Sequence, residues 1–461
     1  MRSAKEKLSG ETLLGLFAMS LAVLVIANDF TALSVALPAI EKVFNSDVTT
    51  VQWVITGYAL VFGVLIVSGG RLADMFGRRL IFFIGAAIFA GFSVIGGLAS
   101  DIMMLLIARG MMGIGGALMW PAILGMTYGM LPASRAAIGG SLIMGAAGIG
   151  NAVGPLLGGA LTDTIGWRWI FFLNLPVALL ASLVTWRVVA RVGPTASNER
   201  IDYAGVCALS AGLFALLLSL DMGTDLGWLS PTILGLFALA AVALIAFVFI
   251  ERGAGNNALV PREVFSNGAF IAACLATLLM SAIFFAALLY LPQYMTKALG
   301  YSAIKAGTGL LPVMATFALT SFTAGTLYER LGAKTVVSIG AACLAAGMFL
   351  LSGIHTHTDY TELVPGMVVL GVGIGLFYSS ITTVAITAVD PARASLAGAI
   401  MYMCQIAGGA IGLGLNTALV VTAPSLAEGI HTAFLMDAAL AIGGLLVSLL
   451  FVGGRKQQQP A

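Results

Sequence analysis

Gly70 to Leu80 reads G-R-L-A-D-M-F-G-R-R-L, a charged stretch wedged between two long apolar runs. Charges with apolar chain on both sides belong where water is, so this stretch is expected to be an exposed turn between two buried segments. The pattern returns at Gly325 as G-T-L-Y-E-R-L-G-A-K: glycine first, an acid fifth (Asp74, Glu329), glycine eighth (Gly77, Gly332) and a base tenth (Arg79, Lys334). One chain carrying the same turn twice is expected to consist of two related halves.

Composition identifies the medium around those segments. Of 461 residues 60% are hydrophobic and only 9% charged, more apolar than any soluble core of this size requires. Each long apolar run is able to cross roughly 30 Å of hydrocarbon as a helix, and none shows the short alternation of barrel strands. The expected spans are 12–38, 51–70, 80–99, 103–126, 137–161, 169–190, 204–221, 231–250, 268–291, 305–326, 335–353, 363–389, 395–421 and 432–453. The first follows a basic opening, as a signal peptide would. It continues for 27 residues without a small-residue cleavage site, so it is expected to be retained.

Alternating loops then divide the 22 Lys and Arg unevenly. Seventeen fall on the side of the N-terminus: Arg2, Lys5, Lys7, Arg71, Arg78, Arg79, Arg135, Arg187, Arg191, Arg200, Arg252, Arg262, Arg330, Lys334, Arg393, Arg455 and Lys456. Four fall opposite (Lys42, Arg168, Lys297, Lys305), and Arg109 alone lies within a span. The positive-inside bias makes both termini and both copies of the turn cytoplasmic, in a multi-pass protein of the cytoplasmic membrane.

The repeat also accounts for the number of spans. From Thr12 to Gly70 is 58 residues, and 58 before Gly325 lies Asn267, where another apolar run begins. The expected domains are a six-helix bundle over 1–190, a linker with two extra spans over 191–267, and a second six-helix bundle over 268–461.

Three further stretches make a family resemblance specific. Asn28 to Pro38 reads N-D-F-T-A-L-S-V-A-L-P, Arg109 to Ala117 reads R-G-M-M-G-I-G-G-A, and Gly150 to Gly159 reads G-N-A-V-G-P-L-L-G-G. Together with the turn at Gly70 they resemble the motifs of the major facilitator superfamily, and within it the 14-span drug:H+ antiporters. Ser34 and Ser141 depart from the usual Asn and Gly of that pattern. The resemblance implies an all-α membrane protein of two six-helix bundles plus two central helices. It implies export of hydrophobic, drug-like compounds, cationic ones among them, in exchange for protons, with the span 5 element marking export over uptake.

Asp29 is the sharpest chemical signal. An ionisable group inside a span costs several kcal/mol unless it neutralises, pairs or faces water, and removal from water favours the protonated form of a carboxyl. A proton-coupled carrier needs such a group, wetted from one side at a time. Satisfaction by a helix neighbour or by Arg109 is the structural alternative. Arg109 lies a few residues into span 4 with Gly113, Gly116 and Trp120 on the same helix face. The resemblance implies a coupling role for it, against that of a snorkelling anchor.

The turns are expected to gate rather than bind. Gly70 and Gly77 permit close approach and tight turning, and Asp74 either caps span 3 or faces a helix N-terminus of the other half. Arg78 and Arg79 complete the first copy, Glu329 and Arg330 the second, where Ala333 replaces a base and weakens the latch. Gly150, Gly154, Gly158 and Gly159 form a small-residue stripe beside the kinking Pro155. A pocket for drug-like cargo would be apolar with aromatic rings and a few polar groups. Its candidates are Tyr58, Phe62, Trp120, Asn151, Phe285, Tyr290, Phe377, Tyr378, Tyr402 and Gln405.

Asp437 is a weaker intramembrane acid, expected close to the outer surface. His355, His357 and His431 fall in or beside outer loops, away from a relay. No zinc or disulfide spacing joins the four cysteines and no nucleotide-binding P-loop occurs. The expectation is a monomeric, non-enzymatic carrier with small-molecule cargo, protons as coupling ion, and no cofactor, metal or nucleic acid. Rival readings are a specific metabolite or antibiotic exporter, a proton-coupled symporter, and a non-transporting receptor or scaffold.

Overall fold

Fourteen helices long and apolar enough to cross a membrane run through the described residues of this computed structural model. In chain order they are α1 (Gly10–Ala32), α2 (Val48–Phe76), α3 (Arg78–Gly97), α4 (Ile102–Gly129), α5 (Ala136–Thr164), α6 (Arg168–Val188) and α7 (Tyr203–Leu226). They continue as α8 (Pro231–Ala254), α9 (Gly268–Lys297), α10 (Leu311–Leu331), α11 (Ala333–Leu351), α12 (Tyr360–Thr387), α13 (Ala394–Thr422) and α14 (Leu426–Phe451). The structure describes residues 8–190, 201–255, 258–355 and 358–452; Arg2, Lys5, Lys7, Arg191, Arg200, His357, Arg455 and Lys456 lie outside them.

Local chemistry sets the helix ends. Ser9, Asp47, Asp101, Ser230 and Ser425 each accept a first-turn backbone N–H of the helix that follows, satisfying donors that hydrocarbon would leave orphaned. Gly77 (φ 103°) alone separates α2 from α3, and Gly332 (φ 85°) alone separates α10 from α11. Both are the eighth-place glycine of the repeated motif. Only glycine holds such a backbone cheaply, so the repeat is a repeated conformation as well as a repeated spelling.

Proline explains several shifts from the expected boundaries. Span 1 stops as α-helix at Ala32; a 3₁₀ turn and a short helix, Leu37–Phe44, follow, with Pro38 in the latter's first turn. Pro312 opens α10, so residues 305–309 belong to a separate short helix, Ala303–Gly309. Pro292 is carried inside α9, which runs on to Lys297. The tolerated and the breaking prolines differ in whether a following turn offers a restart.

The two halves pack in the same order. In the first, α1 lies on α5 and α6, α2 on α4, and α3 on α4 and α6; in the second, α9 lies on α13 and α14, α10 on α12, and α11 on α12 and α14. The seam between them is made chiefly by α5 against α10 and α2 against α13. The extra pair α7 and α8 pack on each other, and α7 touches both α2 and α13. The central helices therefore brace the seam from outside. With an even number of spans, the start of α1 and the end of α14 lie on one face, called here the terminal face.

Candidate functional site

Asp29 and Arg109 meet inside the first half. An Arg109 Nη1–H donates to Asp29 Oδ2, and both side chains are 0% exposed. Asn174 Nδ2 donates to Asp29 Oδ1 at 3.0 Å and to Ser93 Oγ at 3.1 Å, and Ser93 Oγ donates to Phe171 O at 2.8 Å. Arg109 Nε donates to Val54 O at 2.6 Å, and the guanidinium carbon lies 4.2 Å from the centroid of the Tyr58 ring. Five helices, α1, α2, α3, α4 and α6, thus converge on one ion pair. Both carboxylate oxygens are occupied and the cation is held by a carbonyl and a π face, which is how a buried pair offsets its desolvation.

The expected one-sided wetting of Asp29 is absent in this conformation, where the carboxyl is sealed within its bundle. A line of rings nevertheless leads from it to the seam. Tyr58 contacts Phe30 (centroids 4.7 Å) and Phe62 (6.0 Å), and Phe62 contacts Trp120 (6.5 Å) and Tyr402 of the second half (5.6 Å). Trp120 and Tyr402 face each other at 4.5 Å. The α4 glycines make room for this line: a Cβ at Gly116 would lie 2.8 Å from the Phe62 ring, and one at Gly113 would lie 2.8 Å from Tyr58 O. Tyr58 Oη, Trp120 Nε1 and Gln405 Oε1 are buried without a hydrogen-bond partner. Such a set, apolar rings with orphaned polar tips, is what a site for an amphipathic organic molecule is made of.

The remaining pocket candidates scatter. Asn151 and Phe285 are partly exposed on α5 and α9, with Phe285 lying over Gly409 of α13. Tyr290 is tied to Thr417 at 2.6 Å within the second half. The Tyr378 hydroxyl is 3.2 Å from Ser281 Oγ on α9, and Phe377 packs on Gly340 of α11, so both belong to the interior of that half.

The first turn reaches across the seam. Asp74 Oδ2 accepts from Leu396 N, in the first turn of α13, at 3.0 Å, so of the two expected partners the helix N-terminus of the other half is the one engaged. Arg78 Nε bonds Asp74 Oδ1 at 3.0 Å, its Nη1 donates to Gly125 O at 2.9 Å, and its Nη2 donates to Pro391 O of the second half. Arg79 instead stays home, donating to Val189 O and Trp186 O at the end of α6. Gly70 lets α2 meet Ser395 and Ala399, where a Cβ would lie 2.6 Å from the Ala399 methyl.

The second copy repeats the close approach. Gly325 packs on Ala137 and Ser141 of α5, while Glu329 and Arg330 are exposed and Ala333 stands where Arg78 stands in the first copy. Tyr128 Oη and Thr383 Oγ1, 3.1 Å apart, join α4 to α12 on the same face. The glycine stripe of α5 serves a different contact: Gly150, Gly154 and Gly158 admit the backbone of α1 from Leu24 to Ala32, the turn before and the turn that carries Asp29. Gly159 and Pro155 touch the short helix Ala303–Gly309 across the seam.

Sequence reasoning missed Asn174, Ser93 and Val54. Asn174 had a readable signal, a polar residue seven positions after Trp167 in the apolar run that opens W-R-W-I-F-F; a backbone carbonyl such as that of Val54 has none. Asp437 was placed too shallow. Its helix begins at Leu426 rather than 432, so Asp437 lies eleven residues, about 16 Å of rise, along it and is 0% exposed.

The profile of the Major Facilitator Superfamily matches residues 19–314 and again 273–461. Among curated relatives, the puromycin resistance protein pur8 of Streptomyces alboniger is 34% identical over 95% of this chain and 88% of its own. The methylenomycin A resistance protein of Bacillus subtilis is 30% identical over 97% of this chain and 96% of its own, and the multidrug transporter MdtP of the same organism is 30% identical over 83% and 70%. Among solved structures, the proton:xylose symporter XylE superposes with a TM-score of 0.70 over 97% of each chain at 18% identity. The human organic anion transporter MFSD10 does so with 0.69, over 95% of this chain and 99% of its own, at 12% identity. At these identities the structures speak for the fold.

Proposed function

The chain belongs to the major facilitator superfamily, and on that premise we propose that it exports hydrophobic, drug-like compounds across the cytoplasmic membrane in exchange for protons, by alternating access. That it is a transporter and not an enzyme follows from the family and the relatives. The direction and the cargo class are drawn from relatives named for resistance to puromycin and methylenomycin A and for multidrug transport. The charge bias along the chain makes the terminal face, and with it both termini, the cytoplasmic one.

The observation that carries proton coupling is the Asp29–Arg109 pair joined by rings to the seam. In the closed arrangement Asp29 and Arg109 are drawn together as a buried, hydrogen-bonded pair. A proton arriving at Asp29 cancels that attraction and leaves the guanidinium to Val54 O and the Tyr58 ring, so Tyr58 and Phe62 are pulled with it. Movement of those rings is felt at Trp120 and Tyr402, where cargo would bind. Asp29 becomes reachable only when Phe30 and Tyr58 part, which ties its protonation to a change of conformation. Arg78 and Asp74 act as the latch that holds the cytoplasmic face shut in this state.

An exporter dedicated to one compound is the second reading, favoured by two relatives each named for a single antibiotic. A susceptibility panel on cells with and without the protein separates the two: protection against chemically unrelated lipophilic compounds supports the broad reading, and protection against one supports the dedicated one. Collapse of the whole proton-motive force, pH gradient and membrane potential together, must abolish protection in either case; protection that survives it defeats the proton-coupled account.

A further inference from the structure

We infer that Asp437 is a second proton-binding site, lodged in the other half of the molecule. Asp437 on α14 is 0% exposed, as is Asn416 on α13, whose Nδ2 donates to Asp437 Oδ2 at 3.0 Å. Asp437 Oδ1 and Asn416 Oδ1 both lie buried with no hydrogen-bond partner. Two orphaned acceptors in one sealed spot lack a donor: Asn416 Nδ2 spends one N–H on Asp437 Oδ2, and its second reaches neither of them. A single proton on Asp437 supplies it, turning one acceptor into a donor and removing the charge that apolar surroundings penalise. No other bond changes: the carboxylate takes one H+ from water and becomes a carboxylic acid.

The contrast with the first half sharpens the assignment. Counted from Gly166, just before α6, and from Gly429, in the first turn of α14, Asn174 and Asp437 are each the eighth residue, and Phe171 and Phe434, both 0% exposed, are each the fifth. Arg168 Nη2 donates to Ala99 O just past α3, and the His431 ring bonds Ser352 O just past α11. These are therefore repeat-related positions. In the first half the repeat position carries the amide, and the carboxylate it bonds has Arg109 beside it. In the second half the repeat position carries the carboxyl itself, and no Lys, Arg or His among the described residues pairs with it.

The groups around it leave the proton as the available counter-charge. From α9 the ionisable neighbour is the Tyr290 phenol, itself bonded to Thr417, and from α13 the neutral Asn416 amide. Neither α11 nor the rest of α14 offers Asp437 an ionisable partner, His431 being bonded to Ser352. Asp437 lies in the second half, outside the line of rings that joins Asp29 to Trp120 and Tyr402. The site is thus independent of the export reading.

Infrared difference spectroscopy on the full-length protein in lipid vesicles, titrated with pH and without any cargo, tests the assignment. The expected result is a protonated-carboxyl band, equivalent to one group per chain, that is absent in Asp437→Asn and retained in Asp29→Asn. Asp437→Glu keeps the acid and shifts the band, which serves if the Asn variant fails to fold. A band unchanged in both Asp437 variants, or one displaced by sodium at constant pH, overturns the proposal. Because no cargo is present, failure of the export account leaves this outcome intact, and the reverse also holds.

Discussion

Arg78→Ala should loosen one face of the molecule without unfolding it. Arg78 makes three polar contacts, but those to Asp74 and Gly125 lie within the first half and travel with it. Of these three, the bond to Pro391 O crosses the seam, so it is the Arg78 bond that the closed face has and the open one lacks. A hydrogen bond from a charged donor contributes about 1.5–3 kcal/mol. The Arg78 side chain is 15% exposed, and solvent screening favours the lower figure, which corresponds to about a tenfold shift toward the open face at ~1.4 kcal/mol per decade. Spin labels at Phe76 and Leu331, which hold the same place in the two copies of the turn and are 49% and 50% exposed, report the separation once Cys207, Cys274, Cys343 and Cys404 are replaced. Double electron–electron resonance should show a longer-distance population growing about tenfold in Arg78→Ala, and little change in Arg330→Ala. Equal distributions for wild type and Arg78→Ala, or a larger change in Arg330→Ala, would refute the assignment of the latch.

Other expectations follow from the same geometry. Asp29→Leu leaves Arg109 charged, buried and unpaired, and should lower unfolding stability by about 3–5 kcal/mol; adding Arg109→Met should recover most of it, as thermal unfolding in detergent would reveal. Gly154→Leu places its side chain against Thr31 Oγ1 and within 3.1 Å of Asn28 O, so overpacking of about 1–3 kcal/mol is expected, whereas Gly91→Ala, with nothing within 4 Å, should be neutral or better by up to ~1 kcal/mol in the same assay. Trp120→Ala removes a ring from the seam cluster, and at about 0.5–1.5 kcal/mol for an aromatic contact should weaken binding of an aromatic cargo about two- to thirteenfold by equilibrium dialysis.

Much of the fold was legible because hydrocarbon leaves so little choice. A run such as 231–250 must be a helix if it is in a bilayer, and a stretch such as Gly70 to Leu80 must leave it. The repeat at Gly325 carried the symmetry, and the positive φ of Gly77 and Gly332 shows why both copies have glycine at the eighth place. The site was legible only in its charged members. Asp29 and Arg109 stand out of apolar surroundings, but that Asn174 would complete the pair depends on the rotation of α6 against α1, which no local pattern encodes. Tyr378 and Phe377 illustrate the converse: adjacent aromatic residues on a helix buried nearly all round, where periodicity does not say which way is the seam. Asp437 was misjudged by a helix start, since Ser425 caps α14 six residues before the hydropathy does.

In the proposed exchange one carboxyl, Asp29, trades a proton against cargo. Adding a transported compound to purified, weakly buffered wild-type protein should release protons into the medium, and Asp29→Asn should abolish that release while still folding. Release of undiminished size from the Asp29→Asn protein would contradict the account.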